Sequence, residues 1–327
     1  MSLDQSFQIN RRQVLAAGVA AAGTMFPGLN MMAEDAPPLK GKIRKALIVN
    51  KITAKELQPI KAAGFDGVET MNCIPAEAEI DRKIADDIGL KVHSVLRGWM
   101  SFNSEDPAKV DATIEQTRDA LRSAKIYGAD AILLVPCRVG GLDMPKPEDF
   151  AIEFDEKTGH VTKVVKGDNE KYAKYIKAQN DSTDGTKKAV EKLIPLAAEL
   201  GVVIGLENVW NNLWCSPELY ANLVGSFKNP WVKAYYDIGN HVKYSPPEQW
   251  VKVLGKLICK LHIKDFKIDR ENKQGGRFVH PRDGQINWPA VRRALSDAEY
   301  DGWATIEDGG LPLPEFAKRF DLIEAGK

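Results

Sequence analysis

A short unit repeats along most of this chain: an amphipathic helix, then a glycine, then a run of β-branched residues. Gly64, Gly89, Gly128 and Gly201 each separate such a helix from the next strand. Glycine adopts the left-handed conformation that closes a helix at no steric cost. Eight strands that alternate with helices predict a single (β/α)8 TIM barrel of the α/β class. The strand candidates are Lys45–Asn50, Asp66–Thr70, Lys91–Leu96, Ala131–Pro136, Val202–Asn208, Val232–Asp237, Cys259–Asp265 and Trp303–Asp308.

Length and charge narrow the class of protein further. The chain has 327 residues, which suffices for one barrel of about 250 residues. No glycine-rich G-x-G-x-x-G segment follows the first strand candidate, which argues against a dinucleotide-binding fold. The formal net charge is zero, so nucleic acid is not expected as a partner.

The first 33 residues differ in composition from the rest. Arg11-Arg12 precedes a short run of alanine, glycine and valine, a pattern similar to a bacterial twin-arginine export signal. We therefore expect residues 1–33 to be an export signal or a disordered tail, 34–44 a linker and 45–327 the barrel. The expected location is the periplasm, with the cytoplasm as the alternative. Contact with a membrane is expected only if the segment is retained as an anchor.

One connection between a strand and its helix is unusually long. Residues 141–185 contain alternating apolar positions on both sides of Glu156-Lys-Thr-Gly159, which predicts a small hairpin. The next helix is expected near Thr186. Long loops of this kind lie at the catalytic face of a barrel, so the insert is expected to be a lid or rim over the pocket, with a surface decoration or a contact in a homo-oligomer as the alternative.

Four strand candidates in the second half carry a potential metal ligand near their C-terminal ends. These residues are Glu207, Asp237, His262 and Glu307. A charged side chain at the end of a buried strand is costly unless it is paired. Successive parallel strands of a barrel end at the same face, so the four side chains should meet. A divalent cation would satisfy three carboxylates and one imidazole together.

The four segments Glu207-Asn, Asp237-Ile-Gly-Asn, His262-Ile-Lys-Asp and Glu307 resemble those of the xylose isomerase-like sugar phosphate isomerase and epimerase superfamily. The resemblance covers the chain from about Lys45 to its end. It implies that the four residues bind one divalent cation. The donor set favours Mn²⁺, with Mg²⁺, Co²⁺ or Zn²⁺ as alternatives.

The resemblance also implies a reaction. In the epimerase branch the two glutamates, here Glu207 and Glu307, would exchange a proton with a small-molecule carbohydrate through a metal-chelated enediolate. The expected activity is isomerase or epimerase. The alternatives are a metal-dependent lyase or dehydratase of a keto-sugar or inosose, a non-catalytic carbohydrate-binding barrel, and a phosphodiesterase. Ketose epimerases have a substrate-contacting histidine where this chain has Asn240, which departs from their pattern.

Several further residues are candidates for substrate contact, each with a structural alternative. His93 and His241 could equally be core histidines, and Trp99 and Trp210 could be core packing. Lys264 could balance an anionic substrate. Arg282 lies in a basic loop with Arg277 and His280, where barrels often hold phosphate. The predicted substrate-binding set is His93, Trp210, His241, Lys264 and Arg282. Export favours free sugars, so no phosphate group is required.

Overall fold

The computed structural model describes residues 39–272 and 274–327. In this part of the chain, eight parallel strands form a closed barrel in which consecutive strands pair and β8 pairs back with β1. The predicted fold class is confirmed. The barrel strands are β1 (Ile43–Val49), β2 (Gly67–Thr70), β3 (Lys91–Trp99), β4 (Ala131–Val135), β5 (Val203–Glu207), β6 (Val232–Asp237), β7 (Ile258–Ile263) and β8 (Gly302–Ile306).

Helices connect the strands and cover the outside of the barrel. Gly89, Gly128 and Gly201 end α2, α3 and α4 with φ angles of 80°, 76° and 67°, the left-handed conformation that the repeat predicts. At the N-terminal end of α5, the Ser216 hydroxyl accepts a hydrogen bond from the Leu219 N–H. The helices are α1 (Ala54–Ala62), α2 (Pro75–Ile88), α3 (Pro107–Tyr127), α4 (Ala173–Leu200), α5 (Pro217–Ser226), α6 (Pro247–Leu254), α7 (Trp288–Asp297) and α8 (Leu313–Glu324).

Helix α4 begins at Ala173, so the predicted start near Thr186 is wrong. Its first half is polar, and such residues have modest helix propensity. Tertiary contacts compensate, because Gln179 accepts a hydrogen bond from the Trp214 backbone at 2.9 Å. The Asn180 amide bonds the backbone of Val161 at 2.7 and 3.1 Å. These contacts stabilise a helix that the local sequence does not predict.

Two hairpins extend from the barrel. The first pairs Glu153–Phe154 with Val161–Lys163 inside the long connection before α4. The second follows β7 and pairs Asp265–Ile268 with Gly276–Val279. We name this second element the rim hairpin. The sequence analysis did not predict it.

The interior of the barrel contains polar side chains as well as aliphatic ones. Tyr235 lies inside and is fully buried against Leu133 and Val135. A Cβ added at Gly205 would lie 2.9 Å from Cδ2 of Tyr235. The absence of a side chain on β5 therefore makes room for the tyrosine ring, whose hydroxyl crosses the barrel toward β2.

The predicted export signal at residues 1–33 lies outside the described residues. Among the helices that the structure describes, none is both long and apolar enough to cross a membrane.

Candidate active site

Four side chains meet at the C-terminal mouth of the barrel. Glu207 and Asp237 end β5 and β6, His262 lies one residue before the end of β7, and Glu307 directly follows β8. One potential ligand atom from each lies within 4.8 Å of the others. We name these four residues the ligand cluster. The structure therefore brings together the four side chains that the strand-end pattern predicts to meet, because their strands are neighbours in the barrel.

The imidazole of His262 faces the three carboxylates with one nitrogen. Its Nδ1 lies 3.0 Å from Oε2 of Glu307. The same atom is 3.7 Å from Oε1 of Glu207 and 3.9 Å from Oδ2 of Asp237. The other nitrogen, Nε2, points away from the cluster and lies 2.7 Å from Oε2 of Glu69. The ring is thus oriented so that Nδ1 is the atom available to a cation.

Glu69 on β2 holds that orientation, and the sequence analysis missed it. Its side chain is fully buried, with Oε2 also accepting from the Tyr235 hydroxyl at 2.9 Å and Oε1 from Ser94 at 3.1 Å. Because a carboxylate accepts here, the neutral form of the His262 ring would carry its hydrogen on Nε2 and leave the lone pair of Nδ1 for a cation. Burial disfavours the imidazolium, but Glu69 and Glu307 outweigh burial and raise the pKa of His262 well above its ordinary value.

Only one of the two carboxylate oxygens of Asp237 accepts hydrogen bonds. Its Oδ1 accepts from the backbone N–H groups of Gly239 and Asn240 at 2.8 and 2.7 Å. Its Oδ2 is buried and has no well-formed hydrogen bond to any described residue, although Nζ of Lys264 lies 3.2 Å away. A buried carboxylate oxygen without a hydrogen bond is unfavourable unless a cation occupies the space beside it.

The surroundings of the three carboxylates displace their pKa values in opposite directions. Burial raises the pKa of Glu207 well above its ordinary value, against the opposing charge of His262. Burial also raises the pKa of Asp237 to about 6, although Lys264 opposes it. Glu307 is only half-buried; desolvation raises its pKa, but hydrogen bonds from His262 and Lys264 outweigh this and hold the pKa below its ordinary value. The site therefore holds more negative charge than its burial favours.

A divalent cation fits this donor set. Two bonds of about 2.0–2.3 Å to one ion separate opposite ligands by about 4.0–4.6 Å, close to the spread of 4.8 Å between the ligand atoms. Three carboxylates exceed the charge of a divalent ion by one. Lys264, whose Nζ lies 2.8 Å from Oε2 of Glu307, supplies the matching positive charge. Glu207, Asp237, His262 and Glu307 are the residues that could hold the ion.

A cavity of about 730 Å³ opens directly above the ligand cluster. Lys264 and Trp210 line it, as do Trp99 and Phe278. Trp99 and Phe278 are 49% and 40% exposed, unusually high for large apolar residues of a folded chain. Pockets for small polar molecules typically combine aromatic walls with a few charged or polar groups, as this cavity does with its tryptophans, Lys264 and the ligand cluster.

Three of the residues predicted to contact substrate do not line this cavity. His93 is buried, stacked on Trp303 with ring centres 4.5 Å apart, and its Nε2 lies 2.9 Å from Oγ1 of Thr305. His241 is buried against Trp250, and burial lowers its pKa to about 3. Both are therefore core histidines.

Arg282 is exposed and also lies outside the cavity. Its backbone N–H donates to Oδ2 of Asp265 at 2.9 Å, which closes the turn after the rim hairpin. Asn240, where the sequence departs from the epimerase pattern, does line the cavity and donates to Oε1 of Glu207 at 3.3 Å. The amide therefore contacts a cluster carboxylate from the position where a histidine was expected.

The long insert does not cover the pocket. None of its residues between 141 and 185 lines the cavity. Its hairpin instead packs toward the outer helices, where Asn222 of α5 donates to the Glu156 carbonyl at 2.8 Å and Lys187 of α4 donates to the Thr158 carbonyl at 2.6 Å. In the described structure the rim hairpin, and not the insert, contributes a lining residue to the cavity, namely Phe278.

Comparisons with known proteins identify relatives of this barrel. An inosose dehydratase from Geobacillus thermodenitrificans (strain NG80-2) is 25% identical over 292 residues, covering 84% of this chain and 85% of that protein. A solved D-tagatose 3-epimerase-like protein has a TM-score of 0.64 at 17% identity and covers 86% of this chain and 98% of its own. The 3-keto-D-glucoside 4-epimerase of E. coli also has a TM-score of 0.64, at 14% identity, and covers 86% and 99%. At these identities the two structures show a shared fold.

A family model for the xylose isomerase-like TIM barrel matches residues 57–318. The match spans well over half of the chain and includes all four residues of the ligand cluster. The chain belongs to the xylose isomerase-like TIM barrel family.

Proposed function

We propose that this protein is a divalent-metal-dependent isomerase or epimerase of a sugar or sugar derivative. The observation that carries the proposal is the ligand cluster, in which three carboxylates and one oriented imidazole converge below an open cavity. The names of the structural neighbours, among them a D-tagatose 3-epimerase-like protein and a 3-keto-D-glucoside 4-epimerase, support a carbohydrate substrate.

The ligand cluster would hold the cation, with Mn²⁺ favoured by its oxygen donors and single imidazole. When bound, a divalent cation polarises the substrate's carbonyl and hydroxyl oxygens and so acidifies the neighbouring C–H bond. Lys264 would remain beside Glu307 and Asp237 to balance the excess carboxylate charge. The aromatic walls would pack against the carbon skeleton of the sugar.

Glu207 and Glu307 are the candidates for proton transfer. They approach the cavity from β5 and from the end of β8, on different sides of His262. Their surroundings shift their pKa values apart, upward for Glu207 and downward for Glu307. Carboxylates with separated pKa values suit an acid and a base acting on one substrate. One glutamate would remove the proton next to the carbonyl, and the other would return a proton to the opposite face.

A metal-dependent lyase or dehydratase is the second candidate, because the inosose dehydratase is 25% identical over most of both chains. Both reactions start with the same proton abstraction. They differ in whether a proton returns to carbon or a hydroxide leaves the neighbouring carbon as water.

Deuterium incorporation tests the proposal and separates the two candidates. Mn²⁺-loaded protein is incubated in D₂O with ketoses, keto-sugars and inososes, and the sugars are analysed by mass spectrometry. An isomerase or epimerase gives an isomer of the substrate in which one hydrogen at the reacting carbon is replaced by deuterium. A lyase gives a product lighter by one water that absorbs in the ultraviolet. If metal-loaded and metal-stripped protein both leave every sugar unlabelled and unchanged, the proposed function is wrong.

A further inference from the structure

The rim hairpin carries two positive charges that have no counterpart. Lys267 and Arg277 oppose each other in its antiparallel ladder, so their side chains project from the same face. Both are exposed, and neither pairs with a carboxylate of any described residue. Like charges directly opposite each other destabilise a ladder. A hairpin with this pair is therefore less stable alone than with an anion between the two side chains.

The acidic residues that line the space beside this pair are already engaged. Three carboxylates border the same space, and each has a cationic or imidazole partner within 2.8 Å. The pairs are Asp283 with Arg319 at 2.7 Å, Asp308 with His280 at 2.7 Å, and Glu307 with Lys264 at 2.8 Å. Each of the three carboxylates that line this space is thus already bonded, and Lys267 and Arg277 are the lining cations without an ion pair to a described residue.

This space is a cavity of about 660 Å³ that adjoins the catalytic cavity. The two share Lys264, Phe278, Glu307 and Asp308 as lining residues. Lys267 and Arg277 project from the face of the ladder opposite to Phe278, so a molecule whose reacting carbons lie at the ligand cluster would reach them with a substituent that passes Phe278 and the edge of the hairpin into this second cavity. The loops after the last two barrel strands, which form this cavity, are where (β/α)8 barrels frequently bind anionic groups.

We infer that Lys267 and Arg277 form a subsite for an anionic substituent of the substrate, a carboxylate or a phosphate. The inference rests on the proposed function, since it names the class of sugar that the active site takes. An arginine guanidinium binds either anion through two parallel hydrogen bonds, and a neighbouring ammonium adds a third charge-assisted contact. The same carbons with a neutral hydroxyl in place of the anion would leave both cations unmatched.

Three keto-sugars that differ only at C6 test this subsite. D-Fructose, D-fructuronate and D-fructose 6-phosphate present a hydroxyl, a carboxylate and a phosphate. Binding to Mn²⁺-loaded full-length protein is measured by calorimetry, and deuterium exchange in D₂O is measured alongside. We expect at least one anionic sugar to bind about tenfold or more tightly than D-fructose at low salt, with the advantage shrinking as salt is raised. The preferred anion identifies the substituent.

The double variant Lys267→Gln/Arg277→Gln should abolish that advantage by weakening binding, with little change in kcat. Lys252→Gln/Arg293→Gln is the matched control. It removes one exposed lysine and one exposed arginine from α6 and α7, and it should retain the preference. Equal binding of all three sugars to the wild type, or an unchanged preference in the Lys267/Arg277 variant, overturns the subsite.

The two proposals fail differently. If the protein exchanges deuterium into D-fructose but binds neither anionic sugar more tightly, the subsite is wrong and the isomerase proposal stands. If the anionic sugars instead bind tightly to the wild type and weakly to the Lys267→Gln/Arg277→Gln variant while no exchange or elimination occurs, the subsite stands and the isomerase proposal is wrong.

Discussion

Replacing Glu69 by glutamine should weaken metal binding although Glu69 is not a ligand. Glu69 accepts from His262, Tyr235 and Ser94 at 2.7, 2.9 and 3.1 Å. A glutamine carbonyl in the place of Oε2 can still accept from His262 and Tyr235, and its amide can donate to the Ser94 hydroxyl. The variant therefore keeps the shape and the hydrogen bonds and loses only the charge that makes the His262 ring more basic.

The expected magnitude is a tenfold to hundredfold loss of metal affinity, the range for removing a carboxylate that supports a metal-binding histidine. That corresponds to about 1.4–2.7 kcal/mol. The proton and the metal compete for Nδ1 of His262, and Glu69 favours both. The measured loss should therefore grow as the pH is raised and competition from the proton falls.

Calorimetric titration of metal-free protein with Mn²⁺ at several pH values measures the effect. Ser94→Ala is the matched control, because it removes a bond to the other oxygen of Glu69 and leaves the contact with His262 in place; its affinity should stay within about threefold of the wild type. A Glu69→Gln protein that binds Mn²⁺ as tightly as the wild type across the pH range would refute the role of Glu69 as the group that prepares His262.

Three further predictions concern the same centre. Glu307→Gln and Glu207→Gln should each keep most of the sugar affinity measured by calorimetry. Each should lower the turnover rate by several decades, because an amide cannot transfer a proton as a carboxylate does. Unchanged turnover in both variants would eliminate the two-glutamate reaction. The metal-free protein should lose thermal stability as the pH rises from about 4 to about 6, because burial raises the pKa of Asp237 from 3.8 to about 6 and the folded protein holds this proton more tightly than the unfolded chain over that range. Metal-bound protein should not show the loss, and equal pH profiles in scanning calorimetry would contradict this. Replacing Arg11-Arg12 by two lysines should stop export of the full chain in a bacterial fractionation assay if the N-terminal segment is a twin-arginine signal; continued export would reject it.

The ligand cluster could be predicted because the fold itself places it. Parallel strands of a barrel end at one face, so a ligand type at the end of each of four consecutive strand candidates implies that the side chains meet. The helix-ending glycines marked the ends of four helices for a similarly local reason. Neither inference required knowledge of contacts between distant residues.

Glu69 was missed although, like His262, it lies one residue before the end of its strand. It lies within a short strand, next to Val68 and Thr70, and its partner His262 is 193 positions away in the sequence. An acidic residue in a fully buried strand was the available signal, since burial of a carboxylate requires a partner. The sequence alone does not identify that partner.

His93 and α4 illustrate two other limits. Alternation places His93 on one face of β3 but does not specify that the ring of Trp303 on β8 stacks on it, so substrate contact and core packing could not be distinguished. Helix α4 begins at Ala173 because Gln179 and Asn180 bond to distant backbone, an outcome that local propensity does not report. In both places, tertiary contacts determine the result.

Diffraction from Mn²⁺-loaded crystals, collected on both sides of the manganese absorption edge, tests the central claim most directly. One anomalous peak per chain should lie between Glu207, Asp237, His262 and Glu307, with bonds of about 2.0–2.3 Å to their ligand atoms, including Nδ1 of His262. A fully loaded crystal with no peak among these four residues, or with manganese bound only elsewhere on the chain, would contradict the account.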